Sequence, residues 1–162
     1  MTRELVHSLF KYEDGKLFWK VKVSDKTNIG QRAGNCSGKY ETIRYKYKTY
    51  QSHRLIFLYF NGFLPRTVDH INMCFRDNRI ENLREATYSE NLRNTRKLKS
   101  GHSSYKGVTL DKRRNKWVSR IKLDDKRLYL GEFNSEIEAA KKYDEFALKY
   151  FGKFANINFK EN

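Results

Sequence analysis

Residues 67–94 read TVDHINMCFRDNRIENLREATYSENLRN, and this stretch decides how the rest of the chain is interpreted. Its first notable feature is the adjacent pair Asp69 and His70. Two amides, Asn82 and Asn91, follow at intervals of 12 and 9 residues. The stretch therefore combines a carboxylate, an imidazole and two amide oxygens within a short length of chain.

The same stretch predicts three short elements. Residues 67–72 are typical of a strand, residues 76–83 of a turn that enters a helix, and residues 87–94 of a helix that begins at Ser89, a favourable N-cap residue. Adjacent residues of a strand point to opposite faces, so Asp69 and His70 share one site only if the strand end is bent or bulged.

Phosphodiester hydrolysis needs the groups that this stretch supplies. A divalent cation stabilises charge on the leaving oxygen, and carboxylate and amide oxygens suit Mg²⁺ or Mn²⁺. A histidine, whose ordinary pKa lies near neutrality, can take a proton from the attacking water. The alternative is structural, since a histidine beside an aspartate often only packs, and Asn82 or Asn91 could only cap a helix.

This pattern resembles the HNH motif of the ββα-metal endonucleases. It is most similar to the phage-type subfamily, in which the third motif position is often Asn and a cysteine zinc ribbon is missing. The resemblance covers roughly residues 5–95 and implies His70 as general base, Asp69 and Asn91 as ligands of one Mg²⁺ or Mn²⁺, and Asn82 as the residue that constrains the loop and orients His70. The turn NMCF at residues 72–75 departs from the polar, glycine-containing turn that is more usual.

The charge of the whole chain favours a polyanionic partner. Its 162 residues include 34 Lys and Arg against 19 Asp and Glu, a net charge of +15, and such a surplus binds nucleic acid by releasing counterions from phosphates. The aromatic content of 15% is too high for a wholly disordered chain. No apolar run is long enough for a spanning helix, so we expect no membrane partner, and two cysteines alone provide no structural zinc site.

The segment before the motif predicts short strands and one helix. Asp14 and Gly15 lie between two aromatic runs, which indicates a hairpin, and residues 40–50 alternate as in a strand. The apolar run at residues 52–62 predicts a short buried helix that ends at Gly62. We interpret His53 as a buried, hydrogen-bonded structural histidine, with a part in the site as the alternative.

The last third of the chain predicts a compact sheet and helix. Residues 105–133 contain three β-prone runs separated by two turns, which is typical of an antiparallel meander. A helix is predicted from Ser135, its N-cap, to Gly152, with Glu138 completing a capping box. Residues 96–104 are basic and then small and polar, which predicts a flexible linker. A tether of this kind would raise the effective concentration of two modules on one duplex.

Residues 105–159 resemble an AP2 DNA-binding domain. The resemblance rests on the following positions: Tyr105, Gly107, Val108, Trp117, Val118, Leu130, Gly131, Phe133, Ala139, Ala140, Tyr143, Asp144, Asn156 and Phe159. It implies a sheet that lies in the major groove, which has room for a β-ribbon. Plant members usually carry Arg and Glu where Thr109 and Arg120 stand, so their base preference does not transfer to this chain.

The resemblance and the charge together predict a set of DNA-contacting residues. In the second half this set comprises Thr109, Lys112, Arg113, Trp117, Arg120, Lys122, Arg127 and Tyr129. Near the motif it comprises Arg84, Arg93 and Lys97. The alternatives are phosphate contact alone for Lys112 and Arg113, core packing for Trp117, and a solvated surface for Arg84 and Arg93.

We therefore predict an α+β chain with two domains. An N-terminal ββα-metal domain with preceding hairpins spans residues 1–95, a linker spans 96–104, and a three-stranded antiparallel sheet with one helix spans 105–162. The predicted activity is metal-dependent hydrolysis of double-stranded DNA, with no small-molecule substrate. The resemblances imply a free-standing phage homing endonuclease. With no secretory signal recognised in the first ten residues, we expect it to act in the host cytoplasm. The alternative is a non-catalytic DNA-binding regulator on an HNH scaffold.

Overall fold

A computed structural model describes residues 1–95, 102–123 and 126–160. Its helices are α1 (Arg3–Leu9), α2 (Ser52–Asn61), α3 (Tyr88–Arg93) and α4 (Glu136–Phe151). Its strands are β1 (Phe10–Glu13), β2 (Lys16–Trp19), β3 (Arg32–Ala33), β4 (Thr42–Tyr45), β5 (Lys48–Gln51), β6 (Thr67–His70), β7 (Leu83–Ala86), β8 (Val108–Asp111), β9 (Lys116–Leu123) and β10 (Lys126–Phe133). The chain is thus mixed α+β, as predicted, and the described part contains no helix long and apolar enough to cross a membrane.

The chain divides into two units between Thr87 and Tyr88. This division falls earlier than the predicted boundary at residue 95, because α3 packs with the C-terminal elements. The Arg93 guanidinium lies 4.8 Å from the centre of the Phe151 ring, and the Lys106 ammonium donates to the backbone oxygens of Arg93 and Thr95, both at 2.8 Å. Burial lowers the pKa of Lys106 to about 8.

The predicted linker at residues 96–104 lies only partly within the described chain. Residues 96–101 are outside it. Ser103 is buried, and its hydroxyl accepts from the Tyr105 amide at 2.9 Å. The Ser104 amide donates to Glu136 at the start of α4, also at 2.9 Å. The last two linker residues therefore belong to the packed second unit.

Short hairpins build most of the first unit. The β1–β2 hairpin turns at Asp14 and Gly15, both with positive φ, which confirms the prediction from that dipeptide. The single strand predicted over residues 40–50 is wrong, because the chain reverses at Lys46 and Tyr47, also with positive φ. These residues form β4 and β5, a second two-stranded hairpin.

Helix α2 lies at the centre of the first core. It buries Leu55, Ile56, Phe57 and Leu58 against side chains of α1, β1 and β2. Gly62 ends the helix in the left-handed conformation with φ 78° and donates its amide to Leu58, as the apolar run and glycine predicted. Helix α1, which has Thr2 as N-cap, was not predicted.

The motif segment folds as two strands followed by a helix. Strand β6 is shorter than predicted and pairs antiparallel with β7, with His70 opposite Leu83 and Asp69 opposite Arg84. The helix expected after residues 76–83 is wrong, since Ile80–Asn82 form one 3-10 turn before β7. Strand β7 forms because Leu83 and Ala86 are both buried there. Helix α3 begins at Tyr88, so Ser89 lies inside it and is not the N-cap.

The second unit is a three-stranded antiparallel sheet in the order β8–β9–β10 with α4 packed on it. Ala139, Ala140, Tyr143 and Ala147 form the buried face of α4. The Ser135 hydroxyl accepts from the Ile137 amide at the N-terminus, which confirms the predicted cap. At Gly107, φ is 79° and an added Cβ would collide with the Tyr143 ring, so the helix and sheet can approach this closely only with glycine there.

Candidate active site and nucleic-acid interface

His70, the last residue of β6, lies in a buried polar and aromatic pocket. Its side chain is only 3% exposed, and its Nε2 lies 2.9 Å from Oδ1 of Asn78. The rings of Tyr40, His53 and Phe75 surround it at centroid distances of 6.2, 4.9 and 6.0 Å. Burial lowers the pKa of His70, and the bond to Asn78 and the charge of Asp69 oppose that shift. The imidazole is therefore neutral at pH 7, the state that a general base requires.

Asp69 is buried beside its cross-strand neighbour. Its Oδ2 accepts from Nε and Nη2 of Arg84 at 2.9 and 2.7 Å, and the two side chains are 5% and 12% exposed. A carboxylate has about four lone-pair sites, so this ion pair is compatible with a metal bond to the same group. The Arg84 side chain is largely buried against Asp69, which differs from the exposed phosphate contact predicted for it.

Asn82 fixes the loop that follows β6. Its Oδ1 accepts from the Asn72 amide at 2.9 Å, and its Nδ2 donates to Asn72 Oδ1 at 3.0 Å and to the Asp77 backbone oxygen at 2.7 Å. The Asn72 side chain donates in turn to the Asp77 carboxylate. Met73 adopts φ 58°, so the loop makes its left-handed turn without the glycine that is more usual in the resembled family.

The remaining predicted residues near the motif lie on or beyond α3. Asn91 is half-buried on α3, which belongs to the second unit. Arg93 is half-buried against Phe151, so its guanidinium packs on an aromatic ring. Lys97 lies outside the described residues.

The donor chemistry of the motif fits a hard divalent cation. Asp69 and Asn91 offer a carboxylate and an amide oxygen, which are ligands that Mg²⁺ prefers. Among the described residues no cluster of three or more His, Cys, Asp or Glu side chains could hold a metal. Mg²⁺ keeps several waters and binds through few protein ligands, so the donor chemistry of the motif is compatible with it.

His53 lies next to His70 but is held differently. It is 4% exposed, and its Nδ1 has no hydrogen-bond partner in the described chain. The prediction of a buried histidine is confirmed, whereas the predicted hydrogen bonding is wrong for that nitrogen. Desolvation lowers the pKa of His53 to about 3, so the ring is neutral and packs against Tyr40 and His70.

The sheet of the second unit has one face covered by α4 and one basic face. On the basic face, Arg120 pairs with Tyr129 and Lys122 with Arg127 across β9 and β10, and all four are exposed. Also exposed are three other predicted residues, Thr109 on β8 and Lys112 and Arg113 in the following turn. The residues of the second half that were predicted to contact DNA, other than Trp117, therefore lie on one face of this sheet or at its edge.

The expected outward orientation of Trp117 is wrong. The indole is half-buried and packs, with Tyr105 and Phe133, against the cluster of Val108, Ala139 and Ala140. Trp117 therefore lies on the side of the sheet that faces α4, which was the core-packing alternative.

The structure also reveals polar residues that the sequence analysis missed. Glu41 and Asn78 are 3% and 2% exposed and lie within hydrogen-bond distance of each other beside His70. They are separated by 37 residues in sequence, and no local pattern links them. A second missed feature is a groove of about 770 Å³ on the first unit, whose lining includes four basic side chains, Lys22, Lys26, Arg44 and Lys46.

Comparison with known proteins yields a separate match for each half of the chain. Residues 50–93 match the family model of an HNH endonuclease, and residues 103–153 match that of an AP2 domain. The AP2-like ethylene-responsive transcription factor PLT2 of Arabidopsis thaliana is 34% identical over 104 residues, which are 60% of this chain and 18% of that protein. APETALA2-like protein 2 of Oryza sativa subsp. japonica is 43% identical over 61 residues, 38% of this chain and 14% of that protein.

The chain thus spans less than a fifth of the length of these curated relatives. The name of the first relative describes an AP2-like transcription factor. The resemblances to an HNH endonuclease and to an AP2 domain are both confirmed at the level of these family models, which match successive segments of the chain.

Proposed function

We propose that the protein is a metal-dependent endonuclease that hydrolyses phosphodiester bonds of double-stranded DNA and holds its target partly through the AP2-like sheet. The observation that carries the proposal is the neutral, buried imidazole of His70, positioned by Asn78 and adjacent to Asp69. It lies within the segment that matches an HNH endonuclease.

His70 is the proposed general base. It accepts a proton from a water molecule as the water oxygen attacks phosphorus. The P–O3′ bond then breaks, and the leaving oxygen takes a proton from solvent water, which gives a 3′ hydroxyl and a 5′ phosphate. Asp69 and Asn91 would hold a Mg²⁺ or Mn²⁺ ion. When bound, the ion supplies Lewis-acid stabilisation of the charge on the phosphate and leaving oxygen. Asn82 keeps the following loop in place through its three hydrogen bonds.

The second unit supplies the proposed grip on DNA. Arg120, Lys122 and Arg127 are exposed on the same side of the sheet, where their charges can neutralise phosphates or reach base edges in the major groove. Lys112 and Arg113 at the sheet edge can add phosphate contacts. This division assigns chemistry to the first unit and affinity to the second.

The resemblance to phage-type HNH enzymes supports a finer proposal. A nuclease segment joined to its own DNA-binding domain is compatible with a free-standing homing endonuclease that recognises one locus, and its site of action would be the cytoplasm of a bacterial host. The proposal rests on that resemblance and on the presence of both domains in one chain.

A non-catalytic DNA-binding regulator is the second candidate. Two observations favour it: the Arabidopsis relative carries the name of a transcription factor, and the Asp69 carboxylate accepts hydrogen bonds from Arg84. In that case the HNH segment would only support the AP2-like unit on DNA.

Plasmid nicking separates the two functions. We expect the wild-type protein to nick a supercoiled plasmid carrying genomic fragments from its source when Mg²⁺ or Mn²⁺ is present, and EDTA to stop the reaction. The variant His70→Ala should lose about 10²–10⁴-fold in rate, while His102→Ala, at an exposed position, should retain the wild-type rate. DNA binding without nicking under all these conditions would favour the regulator. Equal nicking by His70→Ala would show that another group is the base.

A further inference from the structure

Four side chains of the first unit form a continuous hydrogen-bonded row that ends at His70. Nη2 of Arg32 lies 2.7 Å from Oε1 of Glu41. The Asn78 Nδ2 donates to Oε2 of Glu41 at 3.3 Å, and the Asn78 Oδ1 lies 2.9 Å from Nε2 of His70. Glu41, Asn78 and His70 are each at most 3% exposed, so water does not compete for these bonds.

The chemistry of Glu41 fixes the orientation of the Asn78 amide. A carboxylate that forms an ion pair with a guanidinium can only accept hydrogen bonds, and Glu41 forms such a pair with Arg32 at 2.7 Å. The Asn78 group that faces Glu41 must therefore be the NH₂ donor. Reversing the amide would place two acceptor oxygens against each other in a buried site, which is costly.

The fixed amide determines the tautomer of His70. With its NH₂ group directed to Glu41, Asn78 presents its carbonyl oxygen to the imidazole. A carbonyl oxygen only accepts, so Nε2 of His70 must carry the hydrogen in the neutral ring. The lone pair of the ring then lies on Nδ1.

We infer that Glu41 and Asn78 are positioning residues that hold His70 as the Nε2–H tautomer, so that Nδ1 is the atom that takes the proton from water. The inference deepens the proposed nuclease function and rests on it for its catalytic meaning. The four residues of the row all lie in the first unit, and the tautomer can be measured without DNA or metal.

The backbone at Gly34 packs closely against the Glu41 side chain and helps to fix its position. Gly34 has φ 115°, and an added Cβ there would lie 2.9 Å from Oε1 and 3.0 Å from Cγ of Glu41. A side chain at residue 34 would displace the carboxylate, so the close approach of backbone and Glu41 depends on glycine.

The test measures both the tautomer of His70 and the kcat for nicking. The ¹⁵N chemical shifts of the His70 ring, measured above its pKa in EDTA, report which nitrogen carries the hydrogen. We expect the Nε2–H form in the wild type. In Glu41→Gln, position 41 can both donate and accept, so the Asn78 amide is no longer held in one orientation. The His70 ring of this variant should show a mixture of tautomers, and the kcat of the variant for nicking should fall about 3- to 10-fold with KM unchanged. Glu13→Gln makes the same change at an exposed glutamate and should match the wild type in both measurements.

A rescue variant distinguishes positioning from a general loss of structure. The double change Glu41→Gln/Asn78→Asp moves the carboxylate one place along the row, where it accepts from both neighbours. It should restore the Nε2–H form and recover most of the lost kcat. If Asn78→Asp introduces misfolding, which near-ultraviolet circular dichroism would reveal, the single variant Glu41→Gln and its control still decide the question.

The outcomes separate this inference from the proposed function. An Nδ1–H ring in the wild type, or Glu41→Gln with an unchanged tautomer and unchanged kcat, would overturn the positioning role. If no variant nicks DNA but the tautomer responds to Glu41→Gln and recovers in the double variant, the hydrogen-bonded row is supported and the nuclease function fails.

Discussion

The first unit buries the polar side chains of its motif, whereas the second unit leaves its cationic side chains exposed on one face of a sheet. Asp69, His70 and Asn82 are each less than 10% exposed and bonded to neighbours within the fold. Arg120 and Arg127 lie open to solvent. A buried network responds to the loss of one member as a whole, while exposed charges contribute small, additive and salt-sensitive amounts.

The largest expected effect is on the buried ion pair of the first unit. Asp69→Ala leaves the largely buried Arg84 without its carboxylate, so we expect the free energy of unfolding of the first unit to fall by about 3 kcal/mol or more. The matched change in the second unit is Asp111→Ala, whose partner Arg114 is 64% exposed, and it should cost at most about 1 kcal/mol. Hydrogen exchange of each unit in EDTA measures both values. Equal costs would break the contrast between the units.

The next effect is the pH dependence of the first unit. The pKa of His53 is about 3 in the folded protein and 6.5 ordinarily, so the unfolded chain binds a proton first as the pH falls. The neutral His53 ring makes its whole contribution to the free energy of unfolding above pH 6.5, and this contribution is lost as the pH falls towards 3. The free energy of unfolding should therefore fall by about 3 kcal/mol between pH 7 and pH 4. In His53→Phe this part of the slope should disappear from urea unfolding curves. His102→Gln should keep the wild-type slope, and an unchanged slope in His53→Phe would assign the acid sensitivity elsewhere.

A smaller effect tests the corrected position of Trp117. Because the indole packs on the helix side of the sheet, Trp117→Ala should lower the free energy of unfolding of the second unit by about 2 kcal/mol, less than for a fully buried tryptophan. Tyr129→Ala, at a side chain that is 57% exposed, should change it by at most about 0.5 kcal/mol. Thermal unfolding of both variants provides the measurement. If Trp117→Ala is as stable as the wild type but binds DNA more weakly, the indole contacts DNA after all.

The smallest effect concerns a single exposed cation. Arg120→Ala should weaken DNA binding about fivefold, and it should reduce the slope of log affinity against log salt by about 1, with stability unchanged. Lys11→Ala removes one charge from an exposed site on the first unit and serves as the control. Titrations at several salt concentrations measure both quantities. An unchanged slope in Arg120→Ala would remove this residue from the proposed interface.

Short sequence signals correctly predicted one turn and two helix ends. The Asp14–Gly15 turn, the end of α2 at Gly62 and the Ser135 cap of α4 each follow from residues a few positions apart. Strand β7 could not be predicted from such local signals. It pairs with β6 across a loop whose shape is set by the Asn82 side chain.

The candidate site was predictable only in part. The adjacent Asp69 and His70 are visible in the sequence, but Glu41 and Asn78 meet only after separate elements pack together. Trp117 is ambiguous for a different reason. It precedes Val118, which is also buried, so alternation along β9 does not show which residue faces α4.

The attachment of α3 to the second unit limits how the two modules could be exchanged. The Lys106 ammonium donates to the backbone oxygens of Arg93, the last residue of the helix, and of Thr95, and the Asn156 amide also donates to Thr95. The same helix carries Asn91, the last residue of the motif in the preceding segment. A recombination event that joined a foreign DNA-reading module at residue 95 would discard these anchors. Successful exchange would therefore have to transfer α3 together with the C-terminal module. Otherwise the new module would have to provide hydrogen-bond donors equivalent to Lys106 and Asn156.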